Sequence, residues 1–325
     1  MNDRNTEVLG QYELEIGTLR RGRGAWVCET NQGLKLLREY KGTEKRLEFE
    51  EEVLSALQEH GRVRVDQYVR NKENELISVG GDGCRYIVKD WYNDRECNIR
   101  DEEEIITTVS RIAALHKIMS RIELKEEWNL GSILTESMAE EMDRHNKELR
   151  RTRNFISGKR RKSDFELCVM ANFPIFFEQA LEAQAGMKRI EEEHQIPDHY
   201  LCHGELNQHH VLMNSEYTAI IEFNKMHLGV QAADLYHFIR KAMEKHGWDL
   251  NLGMKMLDAY DQILPMGKME REYLYYLFLY PEKYWKQLNF YYNANKAWIP
   301  ARNVEKLKNL EMQQKDRNQF LIRIR

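Results

Sequence analysis

Residues 200–238 contain two polar loops on either side of a predicted β-hairpin. The apolar runs Val211-Leu212-Met213 and Ala219-Ile220-Ile221 are joined by a polar turn, which predicts two antiparallel strands with both loops on one side. His203-Gly204-Glu205 stands in the first loop and Glu222 in the second. Phosphoryl transfer needs a carboxylate near the acceptor hydroxyl and ligands for magnesium. The stretch therefore predicts a phosphotransfer site, or the altered remains of one.

The segments before residue 91 are predicted to form a small sheet with one helix. Thr43 can cap a helix that runs from Glu44 to about Glu59. Five segments have the composition of strands: residues 12–16, 25–30, 34–40, 75–79 and 84–90. Helical spacing follows in residues 102–119, 133–153, 164–193, 233–245, 252–263, 270–279, 281–293 and 303–322. The pattern predicts an α+β protein with an antiparallel-sheet lobe at residues 1–90 and a mainly helical lobe at residues 91–325, which contains the hairpin at 200–224.

Length and composition indicate a globular chain without a membrane or export segment. At 325 residues the chain exceeds what one compact core usually organises, so two lobes are expected. No apolar run approaches the roughly 20 residues of a membrane span, and the polar N-terminus is unlike a signal peptide. The five cysteines are scattered without metal-binding spacing, which indicates reduced thiols. We expect the protein to stay in the compartment where it is made.

The charge of the chain is unevenly distributed. Its net charge of -4 argues against a dedicated nucleic-acid binder. Between Arg144 and Lys162, however, nine Lys or Arg residues face a single acid, Glu148. This basic segment could dock on an acidic partner, and a solvated helix and loop is the alternative interpretation.

The chain resembles the aminoglycoside phosphotransferases and choline kinase-like proteins, which are relatives of the protein kinases. The hairpin follows their pattern of His-Gly-Asp, four spacers and Asn, and then Ile-Asp-Phe. Within this group the chain is most similar to the spore coat kinase-like family named for spore coat protein S. The likeness is most specific in KGTEKR at residues 41–46, AADLYHFIRK at 232–241, YPEKYW at 280–285 and YYNANKAW at 291–298. The resemblance implies a two-lobed kinase-like fold over nearly the whole chain.

The resemblance also implies roles for the hairpin residues. His203 and Gly204 match the family pattern, and Glu205 stands where an aspartate would be the catalytic base. His210 takes the position of the metal-binding asparagine, and Glu222 replaces the magnesium-binding aspartate.

Further roles follow for residues outside the hairpin. The alignment places Arg38 at the phosphate-contacting lysine of the third strand, with Lys35 as the alternative if the strand register slips. The helix glutamate that pairs with this cation would be Glu50 or Glu51, and Asp234 matches the aspartate that braces the catalytic loop.

Two weaker features also have structural explanations, which the histidine spacing favours over a metal site. Gly22 and Gly24 resemble a turn that covers phosphates, but an ordinary hairpin turn has the same composition. A group of histidines suggests a transition-metal site, although histidines beside a hairpin often serve as hydrogen-bonded scaffold and no pair has the spacing that would fix two ligands on one face. These histidines are His203, His209, His210 and His227.

The residues that depart from the family pattern stand at the positions with a chemical role. They are Arg38, Glu205, His210 and Glu222. Lengthening a carboxylate side chain displaces it, and misplacement by about 1 Å can lower a rate about a hundredfold. An imidazole suits zinc better than magnesium. The set predicts a pseudokinase. The resemblance implies that it acts in spore coat assembly through contacts with other coat proteins and lies in the mother-cell cytoplasm and the coat. The alternative is an active small-molecule or sugar phosphotransferase that uses ATP with Mg²⁺ or Mn²⁺.

Overall fold

The computed structural model describes residues 3–22, 24–60, 63–93, 95–125, 128, 133–134, 136–194, 200–294 and 301–325. The chain divides into two compact units. The first comprises the residues up to Leu134 together with Tyr200–Leu228, and the second comprises Thr135–His199 and Gly229–Arg325. The predicted α+β architecture, an antiparallel sheet region followed by a mainly helical region, is confirmed. The lobe boundary at residue 90 stays a prediction, because compactness groups the hairpin with the sheet.

Among the described residues the strands belong to the first unit, except that the last of them ends at Gly229, one residue into the second unit. In chain order its elements are α1 (Asp3–Leu9), β1 (Ile16–Gly22), β2 (Ala25–Thr30), β3 (Gly33–Glu39), α2 (Glu44–Glu59), β4 (Arg64–Val65), β5 (Tyr68–Val69), β6 (Ser78–Val79), β7 (Arg85–Asp90), β8 (Arg95–Glu96), α3 (Glu102–Met119), β9 (Tyr200–Cys202), β10 (Val211–Met213), β11 (Thr218–Ile220) and β12 (His227–Gly229). The bounds predicted for α2 and α3 are confirmed. Both helices have side-chain N-caps, since Thr43 accepts a hydrogen bond from the Arg46 backbone N–H and Asp101 from those of the next turn.

Three sheets organise these strands. The largest has the order β1-β2-β3-β7-β5, with β6 also beside β7, and each of these pairs is antiparallel. A second sheet has the order β4-β11-β10-β8, so the predicted hairpin, β10 with β11, is part of a larger sheet. The third pairs β9 with β12.

The two faces of the large sheet bury different apolar clusters. On one face, α1 contributes Val8 and Leu9 to a cluster with Cys28, Leu37 and Val88. The other face packs against the hairpin through an apolar cluster whose members come from both: Ala25, Val27, Leu36, Trp91, Leu212, Ala219 and Ile221. The alternation of side chains along β3 thus directs Leu37 toward α1 and Leu36 toward the hairpin.

The predicted strand at residues 12–16 is wrong except for its last residue, Ile16. Tyr12 instead follows α1 and is buried in the cluster beneath it. The alternation of Tyr12, Leu14 and Ile16 comes from a connecting segment whose apolar side chains pack on the sheet. The seven residues of α1 are too few to show a helical period in the sequence.

The second unit is built from helices in its described residues. These are α4 (Met138–Ser157), α5 (Asp164–His194), α6 (Ala232–Lys245), α7 (Leu250–Asp261), α8 (Lys268–Leu279), α9 (Glu282–Asn293), α10 (Ala301–Met312) and α11 (Gln314–Ile324). Helix α4 packs along α5, and α8 contacts both α5 and α6. Helix α4 begins later than predicted because Ser137 is its N-cap, and the single helix predicted for 303–322 is interrupted at Gln313. None of the described helices is long and apolar enough to cross a membrane.

Candidate functional site

The register of β3 decides which cation faces the hairpin. Arg38 lies opposite Ile87 of β7, and Leu36 lies opposite Lys89, so these four residues share the face that packs on the hairpin. Lys35 lies opposite Asp90 on the other face, and its ammonium contacts the Asp90 carboxylate at 2.6 Å. The register therefore supports Arg38, and not Lys35, as the cation of this face.

Arg38 forms a two-point ion pair with Glu222. Its two terminal nitrogens lie 2.7 and 2.6 Å from the two carboxylate oxygens. Such paired hydrogen bonds are the strongest geometry available to a guanidinium and a carboxylate. The predicted phosphate-contacting cation and the predicted metal-binding carboxylate are therefore bound to each other.

The backbone of Glu222 is left-handed, with φ 69° and ψ 53°. A non-glycine residue in this region costs on the order of 1 kcal/mol or more, and such strain persists where neighbouring contacts enforce it. Burial alone would raise the pKa of Glu222, but the hydrogen bonds and charge of Arg38, with the charges of Lys89 and His210, hold it below its ordinary value. Glu222 is therefore an ionised, strained carboxylate whose charge is neutralised within the protein.

A second ion pair, between Asp66 and Lys89, supports the first. The Lys89 ammonium lies 2.7 Å from Asp66 Oδ2, and both side chains are almost completely buried. The same carboxylate oxygen accepts a hydrogen bond from the Glu222 backbone N–H at 3.1 Å. Sequence reasoning missed both residues, because a single Lys in a predicted strand and a single Asp in a loop carry no spacing signal. We call Arg38, Glu222, Asp66 and Lys89 the buried charge network.

The predicted helix glutamates have other partners. Glu50 of α2 is buried, and its carboxylate accepts hydrogen bonds from Arg46 Nε and from the Tyr68 hydroxyl, each at 2.5 Å. Glu51 pairs with Arg70 at 3.0 Å. The pairing predicted between a helix glutamate and the strand cation is wrong, because Arg38 instead pairs with Glu222.

The frame of the hairpin is held by His203. Its buried ring lies with Nε2 3.0 Å from the Ile221 carbonyl oxygen, and its Nδ1 accepts a hydrogen bond from the Glu205 backbone N–H. These contacts define the tautomer, since the nitrogen facing a carbonyl must carry the proton. His203 thus ties the first loop to the end of β11.

Gly204 satisfies a steric demand at the same place. Its φ is +86°, and a Cβ built on it would lie 2.2 Å from the Lys225 carbonyl oxygen. Only glycine fits such a close approach of two backbone segments in this conformation.

The remaining hairpin positions are less constrained. The Glu205 side chain is exposed, and its carbonyl oxygen accepts hydrogen bonds from Asn207 Nδ2 at 2.9 Å and from His210 Nδ1 at 2.8 Å. The His210 Nδ1 that faces this carbonyl must carry a proton, so only Nε2 of this ring could bind a metal. In the described part of the chain, no group of three or more His, Cys, Asp and Glu side chains could hold a metal ion.

A family model described as "Spore coat putative kinase YutH" matches residues 5–324. The chain belongs to this family. The predicted membership among the spore coat kinase-like proteins is therefore confirmed. No curated protein matches the chain at a significant level.

Several solved structures with a similar fold are phosphotransferases. An aminoglycoside phosphotransferase from Alicyclobacillus acidocaldarius is 18% identical, with a TM-score of 0.85 over 98% of this chain and 94% of its own. A microcompartment-associated aminopropanol kinase is 14% identical, with a TM-score of 0.62 over 98% and 97% of the two chains. Spectinomycin phosphotransferase in complex with ADP and spectinomycin is 12% identical, with a TM-score of 0.61 over 95% and 92%. At these identities the likeness shows the aminoglycoside phosphotransferase-like fold of this spore coat family member.

The glycine turn of the spore coat family member is tight. Gly22 of β1 pairs with Ala25 of β2, and Arg23 lies outside the described residues. Gly24 has φ +73°, and no atom lies within 4 Å of a Cβ placed on it. This geometry is that of an ordinary hairpin turn, and a role in covering phosphates stays a prediction.

Asp234 belongs to the second compact unit. It is buried in the first turn of α6, with 1% of its surface exposed. Its predicted role in bracing the catalytic loop involves a residue in each unit and stays a prediction.

Proposed function

We propose that this chain is a spore coat-associated pseudokinase, which acts in coat assembly through contacts with other coat proteins and not through phosphoryl transfer. The Arg38–Glu222 ion pair carries the proposal. A kinase site uses a cation to hold the phosphates and a carboxylate to hold magnesium. In this chain the Arg38 guanidinium and the Glu222 carboxylate bind each other, so nucleotide binding would first have to separate a well-formed ion pair.

The metal ligands are a second support. Magnesium requires oxygen ligands in near-octahedral geometry. Glu222 is engaged by Arg38 through both oxygens, and His210 offers nitrogen at the position where the family pattern has an amide oxygen. The residues present therefore do not fit a magnesium–nucleotide complex.

Apolar packing is a third support. Leu36 and Trp91 from the sheet side pack with Leu212 and Ile221 of the hairpin in one buried cluster. Separating the sheet from the hairpin here, to admit a nucleotide base between them, would lose roughly 25 cal/mol for each Å² of apolar surface exposed.

Nucleotide binding to the purified protein tests the proposal. We expect no calorimetric signal and no thermal shift with millimolar ATP and either Mg²⁺ or Mn²⁺. The matched variant combines Arg38→Lys, Glu205→Asp, His210→Asn and Glu222→Asp, which restores the family pattern within the same frame and should gain measurable nucleotide binding. ATP-dependent phosphoryl transfer by the wild type that disappears in Glu205→Ala would contradict the proposal and favour the active phosphotransferase.

A further inference from the structure

Five arginines on α4 and the turn after it lack acidic partners. All five are exposed, and among the described residues none has an ion pair, whereas Arg144, Lys147 and Lys159 of the same segment each pair with an acid. We call this set the arginine surface: Arg150, Arg151, Arg153, Arg160 and Arg161. Five like charges within twelve residues, without acidic partners among the described residues, repel one another, so an acidic partner would lower their electrostatic energy.

Aromatic rings position two of these guanidinium groups. Arg150 lies over the ring of Phe177 at 5.1 Å, and Arg151 lies over the ring of Tyr292 at 4.4 Å. A guanidinium stacked on a ring keeps its N–H edges directed outward for in-plane hydrogen bonds. Phe155, with 36% of its surface exposed, packs edge-on against Tyr292, and the Lys159 ammonium lies 5.8 Å from the centre of its ring. The side chains of Arg150 and Arg151 are therefore partly ordered before any partner binds.

A buried carboxylate anchors the turn that carries Arg160 and Arg161. Glu166 is 1% exposed and accepts hydrogen bonds from Lys159 Nζ, the Tyr291 hydroxyl and the Ser163 backbone N–H. Because the turn is attached to α5 and α9 at this point, Arg160 and Arg161 project from a fixed backbone. A fixed surface loses less conformational entropy on binding than a mobile loop.

We propose that the arginine surface docks a short acidic segment of a partner protein. Carboxylates match the two-point geometry of guanidinium groups, and the exposed Phe155 ring would contact apolar side chains of such a segment. The surface extends over about 15 Å of helix and turn, the length of about five extended residues. A long nucleic acid fits less well, because its affinity depends on many phosphate contacts and the chain as a whole carries a net charge of -4.

This inference rests on the proposed function in coat assembly, because it specifies the chemistry of one partner protein. Its test does not involve nucleotide, so the two proposals fail separately. A labelled ten-residue peptide rich in Asp and Glu with one Tyr is titrated with the full chain, and binding is followed by fluorescence anisotropy at low and at physiological salt. The comparison probe is a single-stranded oligonucleotide of equal net charge.

Charge reversal locates the binding surface. The triple variant Arg153→Glu, Arg160→Glu and Arg161→Glu should weaken peptide binding at least tenfold. The matched control reverses three exposed cations elsewhere in the second unit, Arg302→Glu, Lys308→Glu and Arg323→Glu, and should change binding less than twofold. Replacing the same three arginines of the surface by lysine should weaken binding severalfold, because charge remains but the two-point geometry is lost.

Several outcomes would overturn the inference. These are absence of peptide binding at low salt, equal losses in the two triple variants, and tenfold tighter binding of the oligonucleotide. Concentration-dependent self-association that the arginine variant abolishes would identify a second copy of the chain as the occupant, and so would also overturn it. Circular dichroism melts check that both triple variants remain folded.

Discussion

The hairpin frame and the buried charge network lie in the same compact unit, but different kinds of contact hold them. The frame depends on contacts to the main chain, through the close approach of Gly204 to the Lys225 carbonyl and the hydrogen bond from the His203 ring to the Ile221 carbonyl. The network depends on side-chain charges, with Arg38 bound to Glu222 and Lys89 bound to Asp66. The comparison shows that the backbone of the hairpin and the charges beside it are held by separate sets of contacts. Backbone geometry accepts few residues, whereas a charge network can be rebuilt from other side chains.

The largest loss of stability should come from a substitution in the hairpin frame. Gly204→Ala should lower the free energy of unfolding by about 3 kcal/mol or more, because a Cβ in the left-handed region would also collide with the Lys225 carbonyl. Gly24→Ala is the matched control, with a positive φ but no atom within 4 Å of the new Cβ, and should cost about 1 kcal/mol. Urea unfolding followed by circular dichroism measures both. Equal losses would show that the close approach is not a constraint.

The buried pair of the network should give the next largest effect. Lys89→Met leaves Asp66 buried without its cation, and should lower the free energy of unfolding by about 3 kcal/mol. Burial raises the pKa of Asp66, so this loss should grow as the pH rises, because the ionised carboxylate then has no partner.

The double variant Lys89→Met with Asp66→Asn provides the control. It removes both charges and should recover part of the lost stability. If the double variant loses as much free energy of unfolding as Lys89→Met and Asp66→Asn lose separately when added together, Asp66 and Lys89 do not act as a pair.

The Arg38–Glu222 pair should contribute less, since 27% of the Arg38 side chain is exposed. Arg38→Ala should cost about 2 kcal/mol at pH 7, below the value for a fully buried pair. The pKa of Glu222 is lowered in the folded protein, so the contribution is present above the ordinary glutamate pKa of about 4.3 and is lost as the pH falls below it. The stability difference between wild type and Arg38→Ala should therefore narrow between pH 7 and pH 3. Arg38→Lys should be intermediate, and a difference that does not depend on pH would contradict the assignment.

The difference between local contacts and contacts across long stretches of the chain also explains which features could be predicted from the sequence. Helices α2 and α3 and the hairpin strands follow from apolar spacing and capping residues such as Thr43, which act locally. The position of Arg38 followed from an alignment, but its partner did not, because residue 222 is brought to it by tertiary structure. Asp66 and Lys89 had no local signal at all. Pairings between residues distant in sequence depend on strand register and on which face a side chain takes, and a one-residue shift would reverse that face.

The smallest effect should come from Glu205, the predicted catalytic base position. Its main chain holds the loop, whereas its exposed carboxylate makes no hydrogen bond to the described residues. Glu205→Ala keeps the main-chain contacts, so the free energy of unfolding should change by less than about 0.5 kcal/mol. Glu205→Asp should behave in the same way. A side chain that makes no structural contacts can be replaced without loss of the fold. A loss above 1 kcal/mol in Glu205→Ala would place this carboxylate within the frame and remove the distinction between the two regions.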